Sequence, residues 1–226
     1  MPIRLNRTES TWGIRYLLFQ LAFLPSMVAV VLDFALPGWS MPVFDIVCWG
    51  INFCVVCGIF HGFLRDSMEY SLQNLKKVLL SAVVGFGVYW VLSMGLNVLL
   101  HRLFPQFYNV NDASIALLVG QDFPLMFVGT VLLVPFTEEM LYRALTFGVL
   151  YKRSRWLAYG VSVCLFCMIH VMGYVGRYEP LHLLVCFVQY IPAGLVLAGV
   201  YERSGSIFAP TLIHMAVNAI AILSMR

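Results

Sequence analysis

An all-α membrane protein, a polytopic bundle of about seven transmembrane helices with a cytoplasmic N-terminus, is the fold class predicted by three features of the sequence. The first is composition: of 226 residues, 61% are hydrophobic and only 11% charged, with a mean hydropathy of +0.87. Soluble domains carry about a quarter charged residues and at most about half apolar ones. Disorder is excluded as well, since it needs low hydrophobicity and high net charge. The second is segmentation into long apolar runs, which at about 20 residues per span leaves room for six to eight spans. The third is the placement of the cations. A net charge of +3 with no dense basic run argues against a nucleic-acid partner.

Taken in order, the apolar runs predict spans at 16–36, 42–64, 78–100, 123–150, 156–174, 180–201 and 207–225. The first follows Arg4, Arg7 and Arg15 and has no small-residue cleavage site close behind it, so it reads as a retained signal anchor. A short surface helix is expected over 111–119, with Asn111 or Asp112 as its cap. The segments between spans place ten Lys and Arg on the side of the N-terminus: Arg4, Arg7, Arg15, Arg65, Lys76, Lys77, Lys152, Arg153, Arg155 and Arg203. Three, Arg102, Arg177 and Arg226, fall on the other. That imbalance predicts a cytoplasmic N-terminus and an external C-terminus.

The chain reads as one membrane domain over 1–226, with three N-terminal helices in 16–100 and a functional core in 123–226. It shows no repeat, linker or low-complexity tract. The six cysteines all lie in apolar runs. Cys54/Cys57 and Cys164/Cys167 have the spacing of half a zinc site, but without a flanking loop they read as small packing residues. Gly58 and Gly62 have the spacing of a helix-packing motif, a common and weak signal.

Ionisable groups within spans are costly and are candidates for function. The fourth span holds Glu138, Glu139 and Arg143. Adjacent helical residues point about 100° apart, so Glu138 and Glu139 are not expected to face the same partner. Glu139 and Arg143, four apart, share a face and can pair, which is a structural role sufficient in itself. Glu138 is left without a local cation and must find a partner on another helix or take up a proton. The fifth span carries Phe166 and His170 one turn apart, and the seventh carries His214 and Asn218 at the same spacing. Counted at about 1.5 Å per residue from the cytosolic ends, Glu138 lies about 18 Å deep, His170 about 21 Å and His214 about 11 Å. Singly, each histidine reads as a partner for a carbonyl and Asn218 as interhelical glue; together the four are candidates for one site. His61, His101, His182, Asp33 and Asp45 sit near span ends or in loops and receive no role. Pro135, just before the glutamates, is placed to kink its helix and admit water, or is simply tolerated there.

These residues resemble the CAAX protease and bacteriocin-processing family of intramembrane proteases. Its Glu-Glu-x-x-x-Arg, Phe-x-x-x-His and His-x-x-x-Asn motifs stand here as Glu138-Glu139 to Arg143, Phe166 to His170, and His214 to Asn218. The stretch from Gly194 to Pro210 is also similar, and the likeness runs from about Phe123 to the C-terminus. The resemblance implies that Glu138, His170, His214 and Asn218 are catalytic and that Glu139, Arg143 and Phe166 support them. It implies hydrolysis of a peptide bond in a membrane-anchored protein or small peptide precursor, as in processing or C-terminal sorting.

The mechanism expected from this set is a water deprotonated by Glu138 with help from His170. His214 and Asn218 would donate to the oxyanion, a single such donor being worth ~3 kcal/mol in the transition state. No cofactor is expected. Zinc held by Glu138, His170 and His214 is the metal-dependent version, disfavoured because there is no His-Glu-x-x-His motif and asparagine is a poor zinc ligand. The competing functions are a non-proteolytic scaffold or bacteriocin-immunity protein on the same fold, and a small transporter, which would more naturally show an inverted repeat. The compact chain resembles bacterial members, implying a multi-pass protein of the cytoplasmic membrane.

Overall fold

The computed structural model describes residues 4–226, and among them every regular element is helical. Ten helices follow in order: α1 (Arg7–Ala22), α2 (Leu24–Ala35), α3 (Met41–Ile59), α4 (His61–Gln73), α5 (Leu75–Leu103), α6 (Val110–Gln121), α7 (Phe123–Tyr151), α8 (Arg155–Met172), α9 (Pro180–Ser204) and α10 (Phe208–Ser224). Five of them, α3, α5, α7, α8 and α9, are long and apolar enough to cross a bilayer, and the pair α1–α2 makes a sixth if counted as one broken span. The protein is therefore an integral membrane helix bundle.

The first expected span, 16–36, is not one helix. The chain bends by 59° between α1 and α2 at Phe23. Pro25 explains the break: it has no N–H to donate, and its ring crowds the carbonyl four residues earlier. The second expected span, 42–64, also stops early, at Phe60. There the Glu9 carboxylate accepts the backbone N–H of Phe63 at 2.8 Å, capping the first turn of a new helix. That helix, α4, occupies most of what the sequence suggested was a loop over 65–77. Its apolar pattern is too sparse to cross a membrane, but it buries Phe63, Ser67 and Ser71 along one face. The last helix has 17 residues, about 26 Å at 1.5 Å each, short of the ~30 Å hydrocarbon core. The expected surface helix is α6, capped by Asn109 rather than by Asn111 or Asp112.

Burial separates an inner from an outer set of helices. More than half of the most apolar window of α7 and half of that of α9 are buried, against 17% for α3 and for α5. The second half of α7 is wrapped on all sides: Met140, Leu141, Ala144, Leu145 and Phe147 pack with Tyr16, Val56, Phe60, Ala158 and Tyr201. By contrast, α5 turns Leu79, Leu80, Val83, Val84 and Val91 outward, the surface expected of a helix facing lipid. Its inner face approaches α9 and α10 at Gly85, where a Cβ would collide with Val200 and Ile213. A Cβ at Gly58 would meet nothing among the described residues, so the Gly58/Gly62 spacing marks no helix contact within them; Gly62 instead leaves space for the Glu9 carboxylate. All six cysteines are free thiols.

The start of α10 is set by a buried serine cluster. Gly205, in the left-handed region at φ 73°, ends α9. Ser206 Oγ then meets Ser71 Oγ at 2.6 Å, and Ser204 Oγ donates to the Ser206 carbonyl at 3.1 Å. This fixes the register of α10, and so the depth of His214 two turns on.

Candidate active site

Three helices deliver the polar groups. In α7 the backbone widens twice from the α-helical to the i→i+5 hydrogen-bond register, over Gly129–Leu133 and Glu139–Phe147. Pro135 sits between the two stretches. In the wider register the Thr130 carbonyl would be served by the N–H of residue 135, which proline lacks. The Asn218 amide on α10 serves it instead, with Nδ2 2.8 Å from the Thr130 oxygen. The proline and the asparagine thus explain one another: the first leaves a buried acceptor open, and the second fills it while being pinned in place.

Glu139 and Arg143 are completely buried, with Oε1 and Nη1 3.2 Å apart. Glu139 does more than neutralise its own helix, however. The same Oε1 lies 3.0 Å from His214 Nδ1, so α7 and α10 are joined through a carboxylate held between a guanidinium and an imidazole. The other nitrogen of that ring, Nε2, is 4.0 Å from Glu138 Oε2. His214 therefore stands between the two adjacent glutamates and, against the expectation from helical geometry, is a partner to both, because its two ring nitrogens point in different directions. An ionised Glu139 requires a proton on Nδ1, which leaves Nε2 as the ring's working atom.

Phe166 carries the support to α8. The Arg143 guanidinium carbon lies 4.2 Å above its ring, a cation–π contact worth about 2 kcal/mol when desolvated. The His170 ring sits 4.7 Å from the Phe166 ring and is stacked on Tyr190 at 4.1 Å. His170 Nδ1 lies 2.7 Å from the Phe166 carbonyl. A carbonyl can only accept, so Nδ1 bears the proton and Nε2 offers a lone pair. No ion-pair contact between His170 and Glu138 forms among the described residues; the two groups face a common space instead.

That space is a cavity of about 200 Å³ lined by Glu138, His170, His214 and Asn218 together. Thr130, Asn111, Asp112, Tyr190 and Trp49 complete its polar and aromatic wall. A second cavity, of about 320 Å³, meets it at Trp49, Val134, Glu138 and Ile169 and continues between α1–α2, α3 and α7 past Asn52 and Asp45. Glu138 thus borders two adjoining spaces. Trp49 owes its place there to Gly129, where any Cβ would occupy the indole.

Among the described residues no three His, Cys, Asp or Glu side chains converge as a metal site. Glu138, His170 and His214 share a cavity, and Nδ1 of both rings is committed, to a carbonyl and to Glu139, so Nε2 is the atom each ring offers there. The residues given no role satisfy themselves locally: His61, His101 and His182 each bond a backbone carbonyl, and Asp33 accepts from the Trp39 indole. Asp45, by contrast, lines the second cavity. Asn111, Asp112 and Tyr190 have no counterpart among the expected site residues. The two polar residues at the head of α6 were legible only as caps, and a tyrosine in an apolar helix gives no signal of its own.

Residues 120–220 match the family described as Type II CAAX prenyl endopeptidase Rce1-like. Over 106 residues, 46% of this chain, the sequence is 27% identical to a protein of Bacillus subtilis (strain 168) whose name reads "Putative membrane peptidase YdiL". The aligned stretch spans 39% of that protein's length. No solved structure matches the chain.

Proposed function

We propose, from the similarity of residues 120–220 to the Rce1-like CAAX endopeptidases, that this chain is a member of the CAAX protease and bacteriocin-processing family and an intramembrane endopeptidase whose nucleophile is a water activated by Glu138. One observation carries the reading: a carboxylate, two imidazoles and an amide from α7, α8 and α10 line one cavity of about 200 Å³ inside an apolar bundle.

The division of labour follows from which atoms are already committed. Glu138, without the guanidinium that Glu139 has, takes a proton from water. His170 Nε2 accepts that water's second hydrogen and orients its remaining lone pair toward the scissile carbonyl. The water oxygen bonds the carbonyl carbon, and the carbonyl oxygen becomes an oxyanion. Asn218 has a second amide hydrogen beyond the one given to Thr130, and it donates here. His214 donates from Nε2 as an imidazolium whose Nδ1–H is held by Glu139. The charges of Glu138, Glu139, Arg143 and His214 then sum to zero, which a low-dielectric interior favours. As the tetrahedral carbon collapses, the C–N bond breaks and Glu138 passes its proton to the leaving amine. Each oxyanion donor is worth ~3 kcal/mol.

No metal enters this scheme, in which the two Nε2 atoms serve the water and the oxyanion; a zinc ion would take those same two atoms. Stoichiometric zinc in the purified protein, lost together with activity on chelation, would overturn that part. The substrate is a membrane-anchored protein or small peptide precursor, reached from the bilayer, in the cytoplasmic membrane of a bacterium. The ten-to-three cation imbalance supports a cytoplasmic N-terminus for the chain.

The test compares protein termini in membranes from cells carrying the wild type or Glu138→Ala. Cleaved termini that vanish in the variant while the uncut precursor accumulates are expected. Unchanged termini, with the variant still supporting whatever the wild type supports, would make the protein a non-proteolytic scaffold or immunity protein.

A further inference from the structure

The turn that opens α6 and one aromatic side chain of α9 reach the same cavity, outside the three motifs. Asn109 caps α6, its Oδ1 accepting the backbone N–H groups of Asn111 at 2.9 Å and Asp112 at 3.2 Å. Its Nδ2 donates to Gln189 Oε1 at 2.7 Å, and Gln189 Nε2 donates to Asn97 Oδ1 at 2.8 Å. The turn is thereby tied to α9 and α5. Tyr190 follows Gln189 and places its hydroxyl 3.2 Å from both Asn109 Oδ1 and Asp112 Oδ1, while Asn111 Nδ2 donates to that hydroxyl at 3.2 Å.

A polar cluster of this kind between membrane helices is costly unless its members satisfy each other; these do. It holds the phenol ring flat against His170, at 4.1 Å and 29° between planes. The hydrogen bond from His170 Nδ1 to the Phe166 carbonyl fixes one edge of the imidazole but leaves it free to rock about that bond. Two rings packed against the imidazole restrict that freedom: Phe166 at 4.7 Å, tilted by 53°, and Tyr190, stacked at 4.1 Å.

We propose that Tyr190, anchored by Asn109, Asn111 and Asp112, is a positioning residue that fixes the plane of the His170 imidazole and so the direction in which Nε2 meets the attacking water. The inference rests on the reading of His170 and Glu138 as the water-activating pair. A displacement of about 1 Å at a reacting group can cost about 100-fold in rate, so the plate acts on turnover and not on substrate binding.

The experiment uses the full chain in membranes with the substrate found by the terminus comparison, and it measures cleavage by Tyr190→Leu and Tyr190→Phe in wild-type and His170→Ala backgrounds. Tyr190→Leu is expected to lower kcat about 10- to 100-fold, with KM within about twofold of the wild type. Tyr190→Phe keeps the stacked ring and loses only its anchor, so it recovers a large part of the loss. In the His170→Ala background Tyr190→Leu lowers the rate further by less than about twofold, because it acts through a ring no longer there.

An equal loss in both backgrounds, or wild-type turnover in Tyr190→Leu, would overturn the inference. The kcat and KM split with recovery in Tyr190→Phe decides the matter should His170→Ala be too slow to measure. If Tyr190→Leu fails to accumulate as folded protein, Tyr190→Met, which fills more of the ring's volume without a flat face, carries the same comparison. Cleavage that persists in Glu138→Ala refutes the proposed function itself. Cleavage lost in Glu138→Ala but untouched by Tyr190→Leu refutes the positioning role alone.

Discussion

Replacing Arg143 with methionine removes a guanidinium buried in the bundle and leaves the Glu139 carboxylate inside with His214 as its remaining partner. Both members of the Glu139–Arg143 pair are fully buried, 3.2 Å apart, so solvent screening does not soften the loss. Breaking such a pair by deleting one side costs about 3–5 kcal/mol. The surviving His214 contact at 3.0 Å puts the expected cost near the lower end, about 3 kcal/mol. For a chain of this size that corresponds to a fall in melting temperature of about 6–12 °C. The assay is thermal unfolding of the detergent-solubilised protein, followed as the monodisperse fraction after heating. Glu139→Gln added to Arg143→Met removes the stranded charge and should restore most of the lost stability, while His214 loses its anionic partner and cleavage stays low. A fall of less than about 2 °C in Arg143→Met, or a double variant no more stable than the single one, would refute the view of Glu139 as a charge shared by Arg143 and His214.

Asn218→Leu strands the Thr130 carbonyl and should cost about 1–3 kcal/mol; adding Pro135→Ala supplies the missing N–H and should return the melting temperature without returning activity, which thermal unfolding and a cleavage assay read separately. Glu9→Ala deprives Asn6 and Phe63 of their acceptor and should destabilise the α1–α4 junction by about 1–3 kcal/mol, seen as a lower melting temperature with residual cleavage intact below it. Gly129→Ala drives a methyl group into the Trp49 indole; it should cost about 1–3 kcal/mol and slow cleavage by narrowing the junction of the two cavities, whereas unchanged turnover would remove Trp49 from the substrate path.

The parts of this architecture that were legible in the sequence are those that composition and helical spacing control. Long apolar runs located the inner helices, and the last one was placed to within a residue at each end. Polar exceptions to those runs pointed at Glu138, His170, His214 and Asn218, which the structure brings to one cavity. Spacing also identified the Glu139–Arg143 contact, since four residues along a helix is a local relation. It could not show that Glu139 has a second partner, because His214 is 75 residues away and reaches it only through the packing of α10 on α7. The bend at Phe23 was missed for a different reason. Both sides of it are equally apolar, and hydropathy is blind to the missing N–H of Pro25. The helix α4 was hidden by its polar face, whose stability comes from Glu9 and a serine cluster contributed by other segments. Tyr190 and the α6 turn matter only through contacts nearly 80 residues apart, and no periodicity records those.

Cleavage of the identified substrate in heavy-oxygen water, with Glu138→Gln alongside the wild type, tests the central claim most directly. Hydrolysis by an activated water predicts a heavy oxygen atom in the new C-terminal carboxylate after a single turnover, and no product from Glu138→Gln although it still binds substrate. Product formed by Glu138→Gln near the wild-type rate, or a new terminus without the label, would contradict it.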